Sequence, residues 1–81
     1  MAGYDTRVDF KGEAYIVQTQ DKGPSAPYIE SLIYRAGRLL ESKRSSYTAF
    51  LALPDAADRI ARMMEEQHKT ILGQIVEGRY D

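Results

Sequence analysis

The sequence predicts a single α+β domain, a four-stranded antiparallel β-meander with one long C-terminal α-helix packed on one face. Two observations predict the sheet: alternating apolar residues flank Lys11-Gly12, and a second strand-like stretch surrounds Ala36-Gly37. One observation predicts the helix, because apolar residues recur every three or four positions between residues 54 and 77. With 81 residues, the chain is long enough for one domain, residues 1–81.

The stretch RVDFKGEAYIVQTQ predicts the first hairpin, over about residues 6–20. Lys11-Gly12 forms its two-residue turn, because glycine readily takes the positive φ that such turns require. This turn sets Val8 opposite Tyr15. One face of the hairpin then carries Val8, Phe10, Tyr15, Val17 and Thr19. The opposite face is mostly polar, as in a sheet with one face in water.

The stretch YIESLIYRAGRLLESKR predicts the second hairpin, over about residues 28–45, after a loop at residues 21–27. Ala36-Gly37 forms its turn. Apolar side chains fall on both faces of this hairpin, so its pattern is less regular than that of the first. Leu32, Tyr34 and Leu39 share one face, and Ile33 and Leu40 share the other.

Residues 45–53, SSYTAFLAL, fit either an extension of the fourth strand or a crossing loop with a turn of helix. In both cases we expect Tyr47, Phe50 and Leu51 to contribute to the core. The predicted core combines apolar residues of both hairpins and the helix: Val8, Phe10, Tyr15, Val17, Leu32, Tyr34, Leu39, Ile60, Met64, Ile71 and Ile75.

The helix is predicted over about residues 54–77. Pro54 suits the first helical position, where its missing N–H costs nothing, and Gly78 is a natural stop. The apolar stripe consists of Ala57, Ile60, Met64, Ile71 and Ile75. Such a helix is about 35 Å long, whereas a seven-residue strand spans about 23 Å, so we expect the helix to overhang its sheet.

Composition narrows the classes of function. The chain has no cysteine, which excludes disulfides and thiolate metal ligands, and no apolar run long enough for a membrane helix. The start of the chain, MAGYDTRVDF, shows no apolar signal segment, so we expect a cytoplasmic protein. The net charge of −1 argues against bulk binding of nucleic acid.

His68 is the only histidine and therefore the first candidate for catalysis. On a helical wheel it lies at the margin of the apolar stripe, and Leu72 occupies the position four residues later where a metal site needs a second ligand. No nucleophile motif surrounds the serines, and no glycine-rich phosphate loop is present. We therefore predict no catalytic residue, no metal, no cofactor and no enzyme activity.

The second hairpin is basic. Residues 33–53 carry Arg35, Arg38, Lys43 and Arg44 with a single acid, Glu41. Basic residues interleaved with tyrosines on a sheet can bind single-stranded nucleic acid by charge and stacking. The same charges also suit an edge strand that is protected against aggregation. Nucleic-acid binding through this hairpin is thus the alternative function.

The helix offers the main candidate for a partner-binding surface. Leu72 and Val76 lie outside the apolar stripe, at about 120° and 160° from Ile60 on a 3.6-residue wheel, so the apolar arc widens toward the C-terminus. Ala61 and His68 lead up to this patch. An exposed apolar patch seeks a partner, and a second copy of the same helix is the simplest one. The predicted partner-binding residues are Ala61, His68, Leu72 and Val76.

Three stretches, YIVQTQDKG, IESLIYRAGRLLESKRSSY and MMEEQHKTIL, resemble a family of short, uncharacterised bacterial proteins. The resemblance covers most of residues 7–75 and implies a bacterial protein made of two hairpins and a helix. Where the family pattern has a second glycine before Gly37, this chain has Ala36. The resemblance implies no activity and no site. The expected function is therefore a non-catalytic interaction domain that forms a homodimer through its helix.

Overall fold

The computed structural model describes residues 3–23 and 25–81; the chain start Met1-Ala2 and Pro24 of the predicted loop lie outside the described residues. Four antiparallel strands form one sheet in the order β1-β2-β3-β4, and one long helix packs against it, which confirms the predicted fold class. The elements are β1 (Gly3–Phe10), β2 (Glu13–Asp21), β3 (Tyr28–Arg35), β4 (Arg38–Ser46), a 3-10 turn (Thr48–Phe50) and α1 (Ala56–Val76).

Both hairpin turns adopt the backbone conformation expected from their sequences. Lys11 and Gly12 have φ of 53° and 80°, and Ala36 and Gly37 have φ of 51° and 80°. Two consecutive left-handed residues form the turn whose twist matches that of the flanking strands. Ala36 carries a side chain in this left-handed region at a cost of about 1–2 kcal/mol, which a glycine would avoid.

The first hairpin has the predicted register, with Val8 opposite Tyr15. Its predicted apolar face is the face that α1 covers. Tyr15, Val17 and Thr19 are fully buried there, while Val8 and Phe10 pack at the margin of the core. Period-two alternation therefore predicted correctly which side of β1 and β2 faces the helix.

The predicted face of β3 is wrong. Val17 pairs with Ile33 and Thr19 pairs with Ser31, so Ile29, Ser31 and Ile33 face the helix. The predicted core residues Leu32 and Tyr34 lie on the open face of the sheet, and Leu39 is 56% exposed. Because neighbouring strands share a pleat, pairing with β2 determines the face of β3, and an apolar pattern present on both faces does not.

The pairing of β3 with β4 is irregular beside the turn. Tyr34 pairs with Leu39 but Ile33 pairs with Glu41, which leaves Leu40 as an additional residue in a bulge. The bulge returns β4 to a register in which Glu41, Lys43 and Ser45 face the helix side. Polar residues therefore occupy the helix side of the outer strand.

Two apolar clusters hold α1 on the sheet. Ile71 and Ile75 pack with Tyr15, Val17 and Ile33, and Met64 packs with Ile29 and Tyr47. Ile60, predicted as core, is only partly buried against the second cluster. Of the residues predicted from the segment 45–53, Tyr47 is buried and Phe50 is partly buried, but Leu51 is 45% exposed.

The helix does not extend beyond the sheet at its C-terminal end. Its C-terminal turns remain over the sheet, because Ile75 is 1% exposed and Tyr80 packs on the first cluster beyond the helix. The first turns meet the 3-10 turn, where the Arg59 guanidinium lies over the Phe50 ring, 5.7 Å from its centroid. Pro54 precedes the helix by two residues and lies in a turn. Within the described residues, no helix combines the length and apolarity needed to cross a membrane.

Candidate partner-binding site

The flank of α1 beside β1 carries the residues predicted to bind a partner. Leu72 is half-buried and packs on the first cluster together with Val8 and Phe10. Val76, one turn later, is 55% exposed. Ala61 lies exposed about three turns before Leu72. Three of the four predicted residues thus follow one flank, and two of these, Ala61 and Val76, are exposed.

His68 is the fourth predicted residue, and it does not belong to that surface. The side chain is 4% exposed, beneath α1 rather than at its margin. Its Nε2 lies 2.8 Å from Thr6 Oγ1, and its Nδ1 lies 2.8 Å from Thr19 Oγ1. The ring of Tyr4 covers it, with ring centroids 5.2 Å apart. Because two strand hydroxyls bind the imidazole, its polar groups are satisfied in the interior.

The His68 contacts belong to a longer chain of polar side chains, which we call the polar layer. Thr19 Oγ1 lies 2.7 Å from Ser31 Oγ, Gln67 Nε2 donates to Ser31 Oγ over 2.8 Å, and Ser45 Oγ donates to Gln67 Oε1 over 2.6 Å. The layer takes one residue from every strand and two from the helix. It consists of Thr6, Thr19, Ser31, Ser45, Gln67 and His68.

One direction of donation satisfies the buried part of this layer. Ser31 accepts from Gln67, and when it donates its own proton to Thr19, Thr19 in turn donates to His68 Nδ1. The imidazole then carries its proton on Nε2 and donates it to Thr6. In the reverse direction the fully buried Ser31 hydroxyl has no acceptor within the layer. The geometry thus favours the Nε2–H tautomer.

This arrangement gives His68 a structural role. Both ring nitrogens have hydroxyl partners, so the imidazole is held between β1 and β2 by the side chains of Thr6 and Thr19. Burial lowers the pKa of His68 from its ordinary value of 6.5, and the charge of Asp5 partly opposes that shift. The neutral imidazole is therefore the stable form in the folded protein at neutral pH.

Acidification should destabilise the protein through His68. Because the pKa of His68 is lower in the folded chain than in the unfolded chain, the unfolded state binds more protons just below pH 6.5. The free energy of unfolding should fall as pH decreases from 7.5 to 5.5, by at most about 1.4 kcal/mol per pH unit. Urea unfolding of the protein and of His68→Gln measures this. If the free energy of unfolding depended on pH equally in the original protein and in His68→Gln, the pH effect would not come from His68.

The four basic residues of the second hairpin do not form one surface. Lys43 lies on the helix side of β4 and donates to Gln74 over 3.2 Å, whereas Arg44 lies on the open side, pairs with Glu30 and covers the ring of Tyr28. At the far end, Arg35 binds the Tyr80 carbonyl and pairs with Glu13. Arg38, opposite Arg35, is exposed. Nucleic-acid binding stays a prediction.

The polar layer is the feature that sequence reasoning missed. The sequence places Thr19 on the helix-facing side of β2, but the wrong face for β3 hides its neighbour Ser31. The available signal was a pair of small hydroxyl residues, Thr19 and Ser31, that lie opposite each other at core positions of neighbouring strands. Comparison with protein-family models, with curated proteins and with solved structures gives no match to this chain.

Proposed function

We propose that this protein is a non-catalytic interaction domain that self-associates as a homodimer. The single observation that carries the proposal is a set of incompletely covered apolar side chains on α1 and β1, which we call the apolar strip. Val76 is 55% exposed and Tyr4 is 39% exposed, and Leu72 and Val8 lie half-buried against the first cluster. Burying such a strip against a second copy removes apolar surface from water at about 25 cal/mol per Å².

The size of the domain supports the same proposal. A chain of 81 residues without a disulfide buries a small core, and such domains often gain stability by oligomerising. The occupied nitrogens of His68 direct the proposal away from catalysis. The resemblance to short bacterial proteins supports a bacterial origin, and the lack of cysteine suits the reducing cytoplasm.

The expected result is a dimer whose dissociation becomes measurable on dilution. Sedimentation equilibrium or light scattering over a range of concentrations measures the mass. Val76→Lys should raise the dissociation constant about tenfold, because it places a charge in the apolar strip. Leu72→Glu combined with Val76→Lys should abolish the dimer, although Leu72 also packs on the core.

The matched control is Thr70→Lys, which adds the same charge at an exposed position about 120° away on the helix. It should leave the mass unchanged. Circular dichroism of each variant checks that the helix content is retained. A protein that remains monomeric at the highest concentration would contradict the proposed function.

A further inference from the structure

The two edges of the sheet differ in how they are protected from pairing. β4 is irregular, with a bulge at Leu40, and presents Glu41 and Lys43 on the side facing the helix. Bulges and inward-pointing charges are the features by which natural sheets block edge pairing. β1 has neither, since it pairs with β2 without interruption from Gly3 to Phe10 and its helix side carries no charge.

The free backbone groups of β1 belong to its charged residues. The Ala14 carbonyl accepts from Ala36 N–H on the β3 side, so Ala14 does not share hydrogen bonds with Asp9, its partner in β1. Hydrogen-bonded and non-hydrogen-bonded pairs alternate along antiparallel strands. The N–H and C=O groups of Asp5, Arg7 and Asp9 therefore point away from β2, toward the open edge.

We propose that the second copy binds at this edge, with the two β1 strands antiparallel about a twofold axis at Thr6. The proposal rests on the proposed function, because it names the surface through which the protein self-associates. The result is one continuous eight-stranded sheet. A twofold axis perpendicular to the sheet keeps both helices on the same face, with their β1 flanks toward each other.

The alternating charges of β1 select this register. With the axis at Thr6, Asp5 of each copy faces Arg7 of the other, and residues 3–9 of both strands overlap. An axis at Arg7 would oppose Arg7 to itself and Asp5 to Asp9. An axis at Val8 would pair Arg7 with Asp9 but overlap only residues 6–10. Opposite charges directly across two strands stabilise the pair, and like charges destabilise it.

In the same register, the side chains on the helix side of the two β1 strands also form favourable pairs. Tyr4, which is 39% exposed, faces Val8 of the second copy, and the two Thr6 side chains face each other at the axis. Apolar–aromatic and Thr–Thr pairs are both favourable across strands. The flanks of the two helices that carry Ala61, Leu72 and Val76 approach each other above the new strand pair. One arrangement thus covers the free edge and the apolar strip together.

A charge-swap series tests the register. Arg7→Asp sets carboxylates opposite each other in the Thr6 register and should raise the dissociation constant about tenfold or more at low salt. Adding Asp5→Arg restores opposite charges and should recover the affinity of the original protein. In the Val8 register, the same double variant would leave Asp9 facing a carboxylate and would not recover. Arg62→Asp, an equal charge change on the exposed side of α1, is the control.

Two single-cysteine variants report the register of the β1 strands directly, because the unaltered chain has no thiol. Thr6→Cys should form a disulfide-linked dimer on mild oxidation, whereas Val8→Cys should remain unlinked. Crosslinking of Val8→Cys alone, or a dimer that the charge swaps leave unaffected, would overturn the proposed edge while self-association stands. A monomeric mass for the unaltered protein would overturn both.

Discussion

Replacing His68 with alanine should lower the free energy of unfolding by about 3 kcal/mol, the sum expected for a lost buried side chain and two hydroxyls left without their partner. The imidazole is 4% exposed and joins Thr6 to Thr19. Thr19 is fully buried, so water cannot replace the lost hydrogen bond without entering the core. Urea unfolding at pH 7.5, at one fixed protein concentration, measures the difference, since association also contributes to stability.

The matched control for this substitution is Lys69→Ala, at the next residue of α1. The Lys69 side chain is 72% exposed and pairs with Glu65, one turn away. Its removal should change the free energy of unfolding by less than about 0.5 kcal/mol. A loss for His68→Ala within that same range would contradict a stabilising role of the polar layer.

The polar layer also explains why the helix has one position on the sheet. It lies between two apolar clusters, which by themselves would tolerate sliding because apolar packing is not directional. A shift of α1 by one turn would remove His68 and Gln67 from their strand hydroxyls and leave buried polar groups unpaired. Such a shift costs free energy, so the polar layer specifies one position of α1 on the sheet.

Local signals predicted the first hairpin and the helix. The turn at Lys11-Gly12 and the alternation around it determine which side chains of β1 and β2 face the helix, and both signals lie within a few residues. The apolar stripe of α1 is similarly local, and Met64, Ile71 and Ile75 are buried as it predicts. Neither signal depends on where distant segments meet.

Which side chains of β3 face the helix depends on how β3 pairs with β2, and the residues within β3 do not determine that pairing. Ile29 and Ile33 on one face and Leu32 and Tyr34 on the other give nearly equal apolar patterns. The loop between β2 and β3 sets the register in which the two strands pair. The length of that loop alone does not predict this register. The exposure of the α1 flank that carries Leu72 and Val76 also depends on distant contacts. A helical wheel identifies Leu72 and Val76 and the meander makes β1 an outer strand, but where α1 lies across the sheet depends on tertiary packing.

Ile33→Ala should lower the free energy of unfolding by about 3–4 kcal/mol, whereas Leu32→Ala should lower it by about 1 kcal/mol or less. Ile33 is fully buried between Val17 and the helix residues Ile71 and Ile75. Leu32, its neighbour in the same strand, lies half-buried on the open face. Both substitutions remove three carbon atoms, so the comparison holds the chemistry constant and varies only the face. Urea unfolding of the two variants measures both losses.

The ratio of the two losses in free energy of unfolding also tests whether the open face of the sheet stays exposed to water in solution. If only α1 covers the sheet, Leu32→Ala loses little, because its surroundings already include water. Dimerisation through the β1 edge leaves that open face uncovered and predicts the same small loss. Equal losses for the two variants would mean that a second layer covers Leu32, and self-association would then occur face to face rather than through β1.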